Sequence, residues 1–400
     1  MNDCTSSSRR TWLRNAGLLT AGLGLTRWQE ARASFVPESV MAEQRLFGEF
    51  AQQVAQLQQL PPDTMPVLKA RLFANENPHG IAPSAKAALE KATTLGNRYA
   101  WMEFAQLKKL IADAEGVTPK QIMMSPGSSD VLMATAAAFS QRGPILTCRP
   151  TYDDLLERAT AAKGQILTVP STADMGYDLA ALKAKALSTP GLGLVYIVNP
   201  NNPTGTIVPP AELAQFCRDV APTVPILIDE AYIDFLEPAD RPVLGKLVGE
   251  GLNIMLARTF SKIHGFAGLR LGYVMAQPNM LAQIKPYTNG EFAVSITTLM
   301  AGIASYQDQA WQTFCRTENA KARDYTTKAL KEIGYEPIPS YANFILFPIK
   351  MKTKLFEGQM FGQGVGIQTR DIDRQPYCRV SIGTMDEMKT FVDAFKKVVG

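Results

Sequence analysis

Five segments of this chain could do chemistry, among them a lysine in a glycine-spaced loop, an aspartate closing an apolar strand, and small residues opening a helix. Lys262 follows Ser261 in Thr259-Phe260-Ser261-Lys262-Ile263-His264-Gly265, and Arg270 stands eight positions later. A lysine is a nucleophile as the neutral amine, a form that a nearby cation favours. Asp229 ends the run Ile226-Leu227-Ile228-Asp229-Glu230-Ala231-Tyr232. A carboxylate there is costly to bury unless it meets a cation, such as a protonated ring nitrogen. Ser125-Pro126-Gly127-Ser128-Ser129-Asp130 lies between a short apolar run and a helical stretch, where backbone N–H groups at a helix start can hold an anion. Tyr152, in Cys148-Arg149-Pro150-Thr151-Tyr152, could stack on a planar group, and Asn199-Pro200-Asn201-Asn202-Pro203-Thr204-Gly205 is a long constrained polar turn. Singly, each has an ordinary explanation: a helix cap, half-buried packing, a turn, or a surface lysine.

Positioning these residues requires a scaffold that brings several strand ends together. From about residue 84, helical stretches alternate with the apolar runs 121–124, 145–148, 165–169, 193–198, 226–228, 253–256 and 272–275. That alternation predicts an α/β fold, with a mostly parallel sheet flanked by helices and ligands at the carboxyl ends of the strands. After about 288 the pattern changes to one long helix over 297–333, apolar runs near 341–347, 364–369 and 378–382, and a closing helix from Met385. This predicts a smaller α+β domain. The expected boundaries are 84–288 for the large domain and 289–400 for the small one, with 34–83 supplying a helix (38–60) and an arm to the latter.

Composition narrows the function classes. The 400 residues carry a net charge of +4, of which residues 1–33 hold +3, from five Arg against Asp3 and Glu30. The near-neutral remainder argues against nucleic acid as a partner. The five Cys form no CxxC pair and the chain has only two His, so a metal centre has few ligands to draw on. Ser8-Arg9-Arg10 precedes a short Gly-rich apolar run and Ala31-Arg32-Ala33, which reads as a cleaved twin-arginine signal over 1–33. It implies a periplasmic or exported protein, carried by the twin-arginine translocase. The run is about 10 residues, short of the ~20 needed to span a bilayer, so no stable membrane anchor is expected.

Taken together, in this order and spacing, the segments closely resemble the fold-type I pyridoxal-phosphate (PLP) aminotransferases, within them the histidinol-phosphate aminotransferase branch. The resemblance runs from Asn75-Glu76-Asn77-Pro78 through Asn97-Arg98-Tyr99 to Arg379-Val380-Ser381-Ile382-Gly383-Thr384. It implies that Lys262 forms a Schiff base with PLP and acts as general acid and base, that Asp229 pairs with the pyridine nitrogen, and that Tyr232 and Asn202 bond the ring oxygen. Tyr152 would stack on the ring. Gly127, Ser128, Ser129, Ser261 and Arg270 would hold the phosphate, with Tyr99 joining from the second subunit of a homodimer. Arg379 matches the arginine that binds a substrate anion, while Asn77, Asn202, Asn343 and Arg370 match substrate-side positions.

The reaction so implied moves an amino group from a small-molecule amino acid or amino phosphate to a keto acid or aldehyde. The alternative is a PLP decarboxylase or lyase of the threonine-phosphate decarboxylase type, which shares these motifs. A non-catalytic PLP-binding regulator would call for a fused DNA-binding module or a damaged site, and the sequence has neither. The chain departs from the branch at His79, where a Tyr is usual, and in lacking a clear counterpart of its N-terminal Tyr.

Overall fold

Apolar residues alternate between two faces along each central strand, and that alternation accounts for the layered architecture. The computed structural model describes residues 68–400, which lie within one compact unit, Pro61–Gly400. The expected twin-arginine segment and the helix at 38–60 fall outside the described residues. In chain order the elements are β1 (Ala70–Arg71), α1 (Pro83–Ala92), α2 (Trp101–Glu115), β2 (Ile122–Ser125), α3 (Ser128–Phe139), β3 (Ile145–Arg149), α4 (Asp154–Ala161), β4 (Ile166–Pro170), α5 (Leu179–Ser188) and β5 (Leu194–Val198). They continue with α6 (Pro210–Val220), β6 (Ile226–Asp229), α7 (Gly245–Gly249), β7 (Ile254–Thr259), β8 (Gly272–Ala276), α8 (Pro278–Ile284), α9 (Ile296–Gln307) and α10 (Gln309–Glu332). The last are β9 (Phe344–Pro348), α11 (Thr353–Gly362), β10 (Val365–Gly366), β11 (Gln368–Ile372), β12 (Gln375–Ser381) and α12 (Met385–Val399).

The large sheet has seven strands in the order β2-β8-β7-β6-β5-β3-β4. All its pairs are parallel except those of β8, which runs antiparallel to both β2 and β7. Successive side chains on a strand point to opposite faces. Val195, Ile197, Ile226, Ile228, Ile254 and Leu256 therefore enter one core, while Leu194, Tyr196, Val198, Leu227, Met255 and Ala257 enter a second on the other side. Helices cover both, as a parallel sheet requires. The seven strands expected for this sheet all form, each within a residue or so at its start.

A three-stranded antiparallel sheet, β11-β12-β9, makes a second layer with α12, over a core that includes Phe347, Phe356, Phe391 and Phe395. The arm joins it: β1 pairs in parallel with β10, Ala70 opposite Val365. The closing helix begins at a capping box, Thr384 accepting from the Glu387 N–H while the Glu387 carboxylate accepts from the Thr384 N–H.

One expectation needs correction. The long helix over 297–333 is two helices, α9 and α10, divided at Asp308. Asp308 leaves the helical region (φ −83°, ψ 71°), and its side chain accepts the Trp311 N–H at 3.0 Å. It ends one helix and caps the next, so the helical periodicity on both sides concealed the break. Among the described residues, no helix is long and apolar enough to cross a membrane.

Candidate active site

The ends of β2, β3, β5, β6 and β7 carry the segments singled out in the sequence, and the sheet brings those segments together. After β2 the chain turns through Gly127 at φ +88° and enters α3 at Ser128 and Ser129. The first N–H groups of a helix have no partner within it, so they are free to hold an anion. Arg270, itself at φ +58°, is exposed and reaches the same place, donating from Nη1 to the Ala267 carbonyl at 2.9 Å and to Ser261 Oγ at 3.4 Å. A Cβ on Gly127 would overlap Arg270 Nη2, and one on Gly272 would lie 2.6 Å from the Ser128 nitrogen. Both glycines are therefore required for the cradle formed by the Gly127-Ser128-Ser129 turn, Ser261 and Arg270.

Beside the cradle, Asp229 ends β6 at 3% exposure. Its Oδ1 accepts the Ala231 N–H at 3.1 Å, and burial, outweighing that bond and the nearby Lys262, pushes its carboxyl up to about 7. A carboxylate so placed calls for a cationic partner. Lys262, half-buried, donates from Nζ to the Ala74 carbonyl at 3.2 Å and lies 5.5 Å from the centre of the Tyr232 ring. Tyr232 is buried, and Tyr152 is half-buried against the second core.

The two arginines expected on the substrate side come from the small sheet. Arg379 on β12 stands opposite Gln368 on β11, and Arg370 is two residues beyond Gln368, so both guanidinium groups project from one sheet face. Arg379 donates from Nη1 to Asn202 Oδ1 at 2.7 Å and from Nη2 to the Phe73 carbonyl at 2.9 Å. Burial lowers its guanidinium to about 10, still charged at neutral pH, and burial also lowers Arg370. The Nε of each is buried without a partner.

Two of the expected substrate positions do structural work with their amide nitrogens. Asn77 Nδ2 donates to the Ile263 carbonyl at 2.8 Å, holding the loop of Lys262, and Asn343 Nδ2 donates to the carbonyls of Asn75 and Glu76. Tyr99 stands apart from the cluster at 76% exposure, edge-on to Phe292. His264 is packed, its Nδ1 2.9 Å from Ser305 Oγ and its ring stacked on Phe260. His79 lies edge-on to Phe314.

Sequence reasoning missed several supports. Asn201 stitches the turn of Asn202 to the loop of Tyr152, donating to the Pro150 carbonyl and accepting from Thr151. Tyr177 backs that loop, its hydroxyl 2.7 Å from Thr151 Oγ1 and accepting the Val198 N–H. Asn75, buried at φ 52°, was quoted only as part of a motif; a residue type that tolerates positive φ was the available signal.

An anion cradle, a buried carboxylate in need of a cation, a lysine and an aromatic wall fit the phosphate, ring nitrogen, aldehyde and ring face of PLP. The sequence from residue 69 to 395 matches the family model described as aminotransferase class I and II. The chain belongs to that family. Among its relatives, the histidinol-phosphate aminotransferase of Moorella thermoacetica is 33% identical over 332 residues, spanning 82% of this chain and 85% of the relative. The aromatic amino acid aminotransferase of Mycolicibacterium smegmatis is 31% identical over 325 residues, spanning 81% and 88%. A crystal structure of the histidinol-phosphate aminotransferase of Sinorhizobium meliloti with pyridoxal-5'-phosphate aligns at a TM-score of 0.76 and 26% identity, covering 85% of this chain and 94% of that one. This aminotransferase is a PLP-dependent transaminase of the fold-type I architecture.

Proposed function

We propose that this aminotransferase takes an amino acid or amino phosphate whose anionic group is recognised by Arg379 and Arg370. The observation that carries this reading is the pair of guanidinium groups on one sheet face, each with a buried Nε that has no partner. A guanidinium presents a planar fork that suits a carboxylate or a phosphate. The relatives named for histidinol phosphate and for aromatic amino acids support a donor of this kind.

When bound, PLP supplies an electron sink for the substrate's α-carbon. The protein's part is positioning and proton movement. The Gly127-Ser128-Ser129 turn, Ser261 and Arg270 would hold the phosphate, and Tyr152 would pack on the ring. Asp229 would pair as the carboxylate with the ring nitrogen and favour its protonated form. Lys262 Nζ would carry the cofactor at rest and, once freed by the donor amine, would act as general base toward the substrate's α-proton and then as general acid.

Tyr99 completes the cradle of a second copy in this reading, which makes the active unit a homodimer. Its exposure and that of neighbouring Trp101, 67%, support a face that another chain covers. Mixing Tyr99→Ala with Lys262→Ala tests it, since a mixed dimer regains one intact site and a monomeric enzyme regains none. Export through the twin-arginine route rests on the sequence of residues 1–33 and is tested by a reporter fusion carrying Arg9→Lys and Arg10→Lys.

The deciding experiment adds amino acids and amino phosphates singly to the holoenzyme, following the cofactor spectrum, keto product and CO2. Keto product with the aminated cofactor names the donor. Release of CO2 with the cofactor spectrum restored would replace transamination by the decarboxylase reading.

A further inference from the structure

Asn75 joins three parts of the molecule. Its own N–H donates to Ser381 Oγ at 2.8 Å, and the Ser381 hydroxyl donates back to Asn75 Oδ1 at 2.8 Å. The amide is completed by Nδ2, which donates to Tyr232 Oη at 3.0 Å. Asn75, Ser381 and Tyr232 are all buried, at 1%, 3% and 4% exposure.

Hydrogen-bond polarity propagates along this chain. Ser381 Oγ receives the Asn75 N–H and gives its single proton to Oδ1. With Oδ1 engaged, the amide presents Nδ2 to the tyrosine. Tyr232 Oη therefore accepts from Asn75, and its own proton is left for an acceptor in the site. An accepted bond also strengthens the one that the hydroxyl donates.

We propose that Asn75 and Ser381 are positioning residues that orient the Tyr232 hydroxyl as a donor to the ring oxygen of bound PLP. The assignment rests on Tyr232 facing that oxygen, as the aminotransferase reading has it. The backbone supports the arrangement. Asn75 adopts φ 52°, its carbonyl is held by Asn343 Nδ2 at 3.0 Å, and the preceding carbonyl, of Ala74, receives Lys262 Nζ. Ser381 ends β12, the strand of Arg379, so the register of the small sheet sets the tyrosine's polarity. Lys262 lies over the Tyr232 ring, Tyr152, Arg370 and Arg379 are close enough to interact electrostatically with Tyr232, and Cys315 packs in the same apolar cluster.

The test titrates the visible absorbance of the cofactor in purified holoenzyme between about pH 5 and about pH 10. A donor to the ring oxygen favours the deprotonated chromophore, so Tyr232→Phe raises the midpoint. Asn75→Gly, which keeps the left-handed backbone, and Ser381→Ala raise it by about half a unit, the worth of one weakened hydrogen bond. Ser381→Thr restores the wild-type midpoint. In the Tyr232→Phe background, Asn75→Gly adds no shift.

Midpoints unchanged in both Asn75→Gly and Ser381→Ala, beside a shifted Tyr232→Phe, would overturn the proposal and leave the tyrosine's role intact. An Asn75→Gly shift that persists without the hydroxyl would show that Asn75 acts on something other than Tyr232. No shift in Tyr232→Phe would remove the donor role itself, and the proposal with it. If Asn75→Gly does not fold, Ser381→Ala and Ser381→Thr alone decide between these outcomes.

Discussion

Arg379 Nη1 donates to Asn202 Oδ1 at 2.7 Å, linking strand β12 of the small sheet to the turn that follows β5. The bond is buried and joins residues that are 177 apart in sequence. Because Nη2 is held by the Phe73 carbonyl, the guanidinium has a fixed plane before any substrate arrives. Fixing a charged fork in advance lowers the ordering cost of binding an anion.

Replacing Arg379 by Lys keeps the charge and loses that plane. With Arg379 in its proposed role toward the donor's anion, the expected result is a fall in kcat/KM of about 10² to 10³, corresponding to roughly 3–4 kcal/mol and carried largely by KM. Steady-state kinetics with the best donor check it. A loss confined to kcat would assign Arg379 to the proton-transfer step instead.

Gly127 has two reasons to be glycine, its φ of +88° and the overlap of any Cβ with Arg270. Gly127→Ala should displace Arg270 from the cradle and weaken PLP affinity by about 10- to 100-fold, in line with the 1–3 kcal/mol cost of overpacking. Equilibrium dialysis of PLP measures it directly. The thermal stability of the cofactor-free protein should fall as well, through the strain of an alanine at φ +88°, and that of the holoenzyme should fall further by the lost PLP affinity.

Two buried groups give the cofactor-free protein opposing responses to pH. Asp229 is raised from 3.8 to about 7 by burial, so the folded chain holds a proton that the unfolded chain releases in that window. Its contribution to stability is complete below about pH 4 and is lost as pH rises through 7. His264 is lowered from 6.5 to about 4, again by burial, so its contribution is present above 6.5 and is lost as pH falls through 4. Urea unfolding of apo-protein between pH 4 and 7 should therefore show stability rising more steeply with pH in Asp229→Asn than in wild type. The slope should be shallower in His264→Gln. Parallel curves for all three proteins would contradict both assignments.

Behind Asp229, Arg258 donates from Nε to Glu230 at 2.8 Å and from Nη1 to Glu115. Glu230 is 1% exposed, and its Oε1 has no partner. Arg258→Ala strands that carboxylate and should cost about 3–5 kcal/mol in reversible denaturation. Combining Arg258→Met with Glu230→Gln should lose clearly less than the sum of the two single changes, because no full charge is left buried at Glu230.

How far the site was legible depended on whether the signal was local. Strand ends announce themselves through short apolar runs followed by Gly, Pro, Ser or Asn, so the segments around Ser128, Tyr152, Asn202, Asp229 and Lys262 could all be placed at the carboxyl end of a parallel sheet. Their joint order carried the family. The break at Asp308 escaped because helical periodicity continues on both sides of it, and one capping side chain interrupts the backbone without interrupting the pattern.

Periodicity and turn signals thus determined the α/β class, because those follow from residue type and near neighbours, and the order of the motifs carried the family resemblance that implied the cofactor and the residues expected to meet it. Tertiary structure alone decided what each polar group is bonded to. Asn75 reaches a serine 306 positions away, Arg379 reaches an asparagine 177 positions away, and Asn77 and Asn343 give their amide nitrogens to backbone carbonyls. A hydrogen bond is fixed by a few tenths of an ångström and a donor's direction, and only the packing of both sheets against the arm supplies those.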